Sequence, residues 1–134
     1  MIKRQKASIK DLIIHKVGNK FNDTKNAFSE KYKGEKGELD CQYYVLRNNL
    51  AKAKKQFQDV PKMLKAFEHW FGPYPFYEDS YKLVEVPYLG MEHQSSVTYG
   101  NGFVNGYRGL DLSGTGWGLK FDFIIIHESG HEWF

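Results

Sequence analysis

His127, Glu128 and His131 fall within five residues, in the run HESGH. The pattern H-E-x-x-H acts only on a helix. At 3.6 residues per turn, positions four apart share a face. The two imidazoles would then aim at one point, each offering a neutral nitrogen to a divalent metal. Glu128, next to the first imidazole, is placed to take a proton from a water bound to that metal. A metal that lowers the pKa of water, together with a carboxylate that accepts the proton, is a machine for hydrolysing amides.

Two histidines do not complete such a centre, because catalytic zinc keeps three protein ligands and one open position. Glu132 is poorly placed as the third, being about 100° round the helix from His131. Glu92, His93 and Asp111 remain open as candidates. The plain alternative is a buried helix whose histidines serve only packing and hydrogen bonding. The apolar run over residues 121–126 favours a helix held in a core. Gly130 works against it slightly, since a glycine inside a helix costs roughly 1 kcal/mol against alanine.

The elements that would position this motif can be read from pattern. Residues 8–17 have the β-branched character of a strand. Residues 18–37 are polar and glycine-containing, which suggests a loop or linker, with a domain boundary near Gly37. A second strand is expected over 38–47. The period then changes. Leu50, Ala53, Phe57, Val60, Leu64, Phe67 and Phe71 step by three and four, the stripe of a core-facing helix. Pro61 lies within it, so either a kink or two helices is expected, the second with Asp59 as its N-cap. Gly72-Pro73 ends the helix. Strands are expected over 81–88 and 95–99. Residues 100–118 hold seven of the thirteen glycines and read as an irregular loop. Residues 119–134 are expected to be largely helical, as the motif requires.

Composition narrows the function classes. With 134 residues, 41% hydrophobic and 16% aromatic, the chain can build a core and is not of disordered type. No apolar run is long enough to span a bilayer, and the basic start MIKRQKASIK holds no apolar stretch of signal-peptide length, which says little about localisation. Cys41 is the only cysteine, so no internal disulfide forms. The net charge of +3 conceals an asymmetry: residues 1–36 hold ten Lys/Arg against four Asp/Glu, and the remainder nine against twelve. The basic residues of the first part are scattered, without an arginine cluster or interleaved aromatics, so a solvated surface is expected rather than a nucleic-acid interface. The glycine-rich run Gly114 to Gly118 follows no clear strand and lacks the lysine of a phosphate-binding loop. His15 and His69 read as surface or packing residues. Nothing in the sequence specifies compartment or oligomeric state.

The stretch LGMEHQSSVTYGN (residues 89–101) followed by HESGHEWF (residues 127–134) resembles the M1 family of zinc aminopeptidases. That family carries G-x-M-E-N on an edge strand and then HExxH on a helix. The run WFGPYPFYEDSYKLVEVPYLGMEHQ is similar to the approach to the first of these motifs. The resemblance covers residues 38–134; residues 1–37 resemble only loosely the end of the family's N-terminal β-domain. It implies an α+β fold, the N-terminal part of a thermolysin-like catalytic domain with a mixed β-sheet and helices. It also implies one Zn2+, held by His127 and His131, with Glu128 as general base. Glu92 matches the glutamate that binds the free α-amino group of a peptide, and Gly90 and Met91 match positions whose backbone lies along it. The third metal ligand and a transition-state tyrosine are expected beyond Phe134, which would leave this chain with weak zinc affinity and negligible activity by itself. Leu89 and His93 depart from the family's pattern, where a glycine and an asparagine stand. The function implied is removal of N-terminal residues from peptides by metal-activated water. A non-catalytic peptide- or partner-binding module on the same fold, or a hydrolase of another small substrate, are the alternatives. Peptides with a free N-terminus are the expected partners, with neither nucleic acid nor a membrane segment.

Overall fold

A computed structural model describes residues 27–134. The strand expected over 8–17, His15 and the first part of the expected linker lie outside the described residues. The architecture is α+β: a mixed five-stranded sheet with helices.

Strand β1 (Ala27–Gly34) runs antiparallel to β2 (Gly37–Tyr44), in register from Ala27 opposite Tyr44 to Gly34 opposite Gly37. Residues 27–34 were expected to be loop, and this is a correction. The strand is mostly exposed and carries Lys, Glu and Ser, so it has no apolar alternation to betray it; its order comes from pairing with β2. Gly37, at φ 107°, turns the hairpin, so the boundary expected there falls where two paired strands meet. In β2, alternate residues Leu39, Cys41 and Tyr43 face the core, with period 2. Burial pushes the Cys41 thiol up to about 12.

The helical stripe divides into α1 (Leu50–Gln56) and α2 (Asp59–Phe71). Pro61 is the third residue of α2, where its missing N–H would have no intrahelical partner. The N-cap is Gln58, which makes no side-chain cap bond, and not Asp59 as expected. Asp59 has other work: its carboxylate pairs with Lys62 at 3.1 Å and accepts the backbone N–H of Asp122 at 3.0 Å. It thereby ties α2 to the start of the motif helix. Ala53, Phe57, Val60 and Leu64 are buried as the stripe demands, joined by Met63, whereas Phe71 faces outward. Gly72, at φ 88°, closes the helix.

From α2 the chain returns as β3 (Tyr81–Glu85), parallel to β2. Short strand β4 (Gly90–Met91) forms the far edge of the sheet, and β5 (Val97–Tyr99) inserts between β3 and β4. β5 is parallel to β3 and antiparallel to β4. The glycine-rich segment then leads through a short 3-10 turn (Trp117–Lys120) into α3 (Phe123–Gly130), which packs on α2, β4 and β5. Among the described residues no helix is long and apolar enough to cross a membrane.

Candidate metal centre

Helix α3 is fixed at its start by Asp122, its N-cap. One carboxylate oxygen accepts the backbone N–H groups of Ile124 and Ile125 at 3.1 and 3.4 Å and the Asn101 amide at 2.9 Å. The other accepts Gln56 Nε2 at 2.8 Å and Tyr99 Oη at 2.6 Å. Asp122 is fully buried, and that burial lifts its pKa above the ordinary range although these donors work to lower it.

The inner face of α3 continues through Ile124 and Ile125, both in the core. Ser129 Oγ shares a hydrogen bond with Tyr81 Oη at 2.8 Å. Beyond the helix, Glu132 accepts Tyr74 Oη at 2.6 Å and the backbone N–H of Ser95 at 3.0 and 3.1 Å to its two oxygens. Trp133 Nε1 donates to the Gly72 carbonyl at 2.9 Å. Glu132 therefore faces inward, as the angular argument requires of a residue one step past His131.

With that face anchored, the opposite one is left to His127 and His131, both exposed. The helix ends at Gly130, but His131 keeps right-handed dihedrals (φ −67°, ψ −12°), so the four-residue relation survives the end of the helix. The two imidazole centroids lie 5.1 Å apart with perpendicular planes. The potential ligand atoms of His127, Glu128 and His131 all lie within 4.8 Å of one another, and no other such group of three occurs among the described residues. Nitrogens bound to one zinc ion each sit about 2 Å from it. The pair could supply two ligands to a divalent metal ion, and no third His, Cys or second acid joins them among the described residues.

Glu128 is buried, at 7% exposure, between its two exposed neighbours in the motif. Burial raises its pKa, the two imidazoles lower it, and the Glu92 carboxyl, within Coulombic and hydrogen-bonding reach, raises it again; the net direction is upward. Glu92 and Glu128 thus face one another, although they lie 36 residues apart in sequence.

Gly90 explains how closely β4 approaches the helix. A Cβ there would come within 2.8 Å of Ile124 Cγ2 and 3.2 Å of Glu128 Cγ. Only glycine lets the edge strand lie against the motif helix at Glu128. Met91 is exposed on that strand. The structure therefore gathers Gly90, Glu92 and Glu128 at the edge of the sheet, beside His127 and His131.

Asp111 does not join them. Its carboxylate accepts Ser113 Oγ and the backbone N–H groups of Ser113, Gly116 and Gly118, which hold it below its usual range. The amides of the glycine-rich run are thus turned onto an internal carboxylate. His93 uses its carbonyl to receive the Ser96 N–H at 2.9 Å. His69 lies exposed, edge-on to Trp70 at 4.8 Å between centroids.

One participant was not singled out from the sequence. Phe123 lies parallel to the His127 ring, at 5.2 Å between centroids and 14° between planes. Its spacing, one turn before His127, was the available signal; in a run of apolar residues it reads simply as core. The Tyr74–Glu132–Ser95 chain left no signal, since its members are distant in sequence.

The chain matches no protein-family model and no curated protein.

Proposed function

We propose that this chain forms part of the catalytic domain of a zinc-dependent aminopeptidase of M1 type, which removes N-terminal residues from peptides. The observation that carries the reading is the juxtaposition of Glu92 with Glu128 beside His127 and His131. A bare HExxH helix accounts for metal chemistry but not for a second carboxylate, brought from an edge strand to meet the first.

His127 and His131 would hold the ion, which when bound acts as a Lewis acid on water and on the scissile carbonyl. Glu128 accepts the proton of the attacking water and passes it to the departing amine. Glu92 receives the α-ammonium of the substrate. Two carboxylates at close quarters repel, and an ammonium placed between them relieves that repulsion. Exposed edge strand β4 offers backbone groups for an extended peptide, along Gly90 and Met91. A third protein ligand would come from residues other than those described. Burial of a general base beside the imidazoles favours catalysis over a module that only binds, which has no need of Glu128.

The test compares amino-acid amides having a free N-terminus with their N-acetylated forms, using the protein that contains this chain. Chelator-sensitive hydrolysis of the free amides alone is the expected result. Equal turnover of the blocked amides, or turnover unaffected by His127→Ala, sinks the proposal.

A further inference from the structure

Histidines that bind metals almost always fix their orientation by donating the second ring N–H to a carboxylate, a carbonyl or water. Among the described residues no protein group hydrogen-bonds the imidazole of His127, and the ring is exposed. Its contacts among the described residues are with aromatic rings. The nearest structure is an aromatic ladder along one side of α3. Tyr107 meets Phe123 edge-on, at 5.7 Å between centroids and 78° between planes. Phe123 lies flat on His127, and His127 presents its face or edge to His131 at a right angle.

We infer that Phe123 is a positioning residue for the metal centre: its ring, braced by Tyr107, holds the His127 imidazole by stacking in the orientation a metal requires. The inference rests on the proposed zinc site and adds to it a residue outside HExxH.

The geometry favours stacking for a physical reason. An offset parallel contact restrains rotation of the imidazole yet occupies neither ring nitrogen. A hydrogen bond would restrain the ring equally well but would use one nitrogen and fix the tautomer. The phenyl, near-parallel to the imidazole at 5.2 Å between centroids, also crowds one side of the ring, so fewer rotamers compete with the ligating one. The entropy of ordering the side chain is then spent during folding and not when metal binds. Tyr107 has the same role one step further out. It comes from the loop paired to the start of α3 through the bridge between Gly106 and Asp122, so the bracing ring is tied to the same N-cap that fixes the helix.

The experiment is performed by NMR on the protein that contains this chain, reading the imidazole protons of His127 and His131 while Zn2+ alone is titrated in. Phe123→Leu and Phe123→Met remove the ring, and Phe123→Tyr keeps it; thermal unfolding of each variant reports the fold. In the unsubstituted chain the His127 ring protons should be displaced by the ring current of Phe123. Both ring-free variants should lose that displacement and bind Zn2+ about tenfold more weakly, the lower end of the effect of removing a group that orients a ligand. Phe123→Tyr should retain both properties. If His127 shows no ring-current displacement, or if Zn2+ affinity is unchanged in whichever ring-free variant folds, the inference is overturned while the zinc site stands. If the displacement is present but neither histidine of the unsubstituted protein, third ligand included, responds to Zn2+, the metal reading itself fails, and a positioning role for Phe123 fails with it.

Discussion

Tyr74 and Glu132, 58 residues apart, meet in the core through a 2.6 Å hydrogen bond from the tyrosine hydroxyl to the carboxylate. The same carboxylate holds the backbone N–H of Ser95, whose φ of 56° lies in the left-handed region that non-glycine residues seldom enter. One acid past the motif helix thus fixes the turn that follows Glu92. Burial pushes the Tyr74 hydroxyl far above its ordinary pKa, and the Glu132 charge pushes it further, so it remains a donor at any working pH.

Tyr74→Phe leaves Glu132 buried with one donor fewer. A lost hydrogen bond to a charged buried group costs about 2 kcal/mol. Urea unfolding should show that loss with an unchanged dependence on urea concentration. A variant as stable as the parent would mean that the turn is held by other contacts.

Gly130 is the only glycine in α3, and nothing in its surroundings demands one. A Cβ there would meet Phe67 at 3.6 and 3.7 Å, an ordinary contact. Gly130→Ala should therefore stabilise the chain by about 0.5–1 kcal/mol, through lower entropy of the unfolded state and better helix propensity. The rise in midpoint on thermal unfolding checks it. A fall would mean that Phe67 has no room to accept the methyl.

Glu68 supplies the pH dependence. It is buried, and its carboxylate accepts Tyr74 N–H at 3.0 Å and Tyr77 Oη at 2.6 Å on one oxygen, Tyr32 Oη and Glu35 N–H, each at 3.1 Å, on the other. Burial alone would raise its pKa, but the four donors outweigh it and hold the group below its ordinary 4.5. A depressed folded pKa means that the unfolded chain binds the proton more readily. The stability Glu68 contributes is therefore present above about pH 4.5 and is lost as pH falls through its folded value. Glu68→Gln should be less stable near neutrality and should lose less on acidification than the parent. Parallel stability curves for the two proteins from neutrality to acid would refute this.

The parts legible in the sequence share a physical cause: they rest on local periodicity. The step of three and four from Leu50 to Leu64 specified the helical face, and Pro61 left a kink or two helices open, of which the structure has two helices. Four-residue spacing placed His127 and His131 on one side of α3. What escaped was determined by partners distant in the chain. β1 is a strand because β2 pairs with it, not because it buries an alternating face. Asp59 gave up the cap position because a backbone amide 63 residues away needed its oxygen. Glu92 and Glu128 were each singled out by resemblance to a family, and their meeting has no signal in spacing, which links an edge strand to a helix through no pattern.

The last prediction tests that meeting. Glu92 is exposed on the turn after β4, whereas Glu128 is buried, yet each carboxyl lies within reach of the other. Glu92→Gln keeps the shape and removes the charge. If Glu92 serves to hold a substrate ammonium, the change should leave the affinity of His127 and His131 for zinc nearly intact. It should also reduce hydrolysis of amides with a free N-terminus by at least tenfold, the loss of one charge-assisted hydrogen bond of about 1.5–3 kcal/mol. The loss should fall on free-N-terminus substrates and not on their acetylated forms, since only the former carry the ammonium. Zinc affinity and activity that fall together would assign Glu92 a structural part in the centre instead. Unchanged activity would remove it from the site altogether and leave HExxH without the feature that marks it as an exopeptidase.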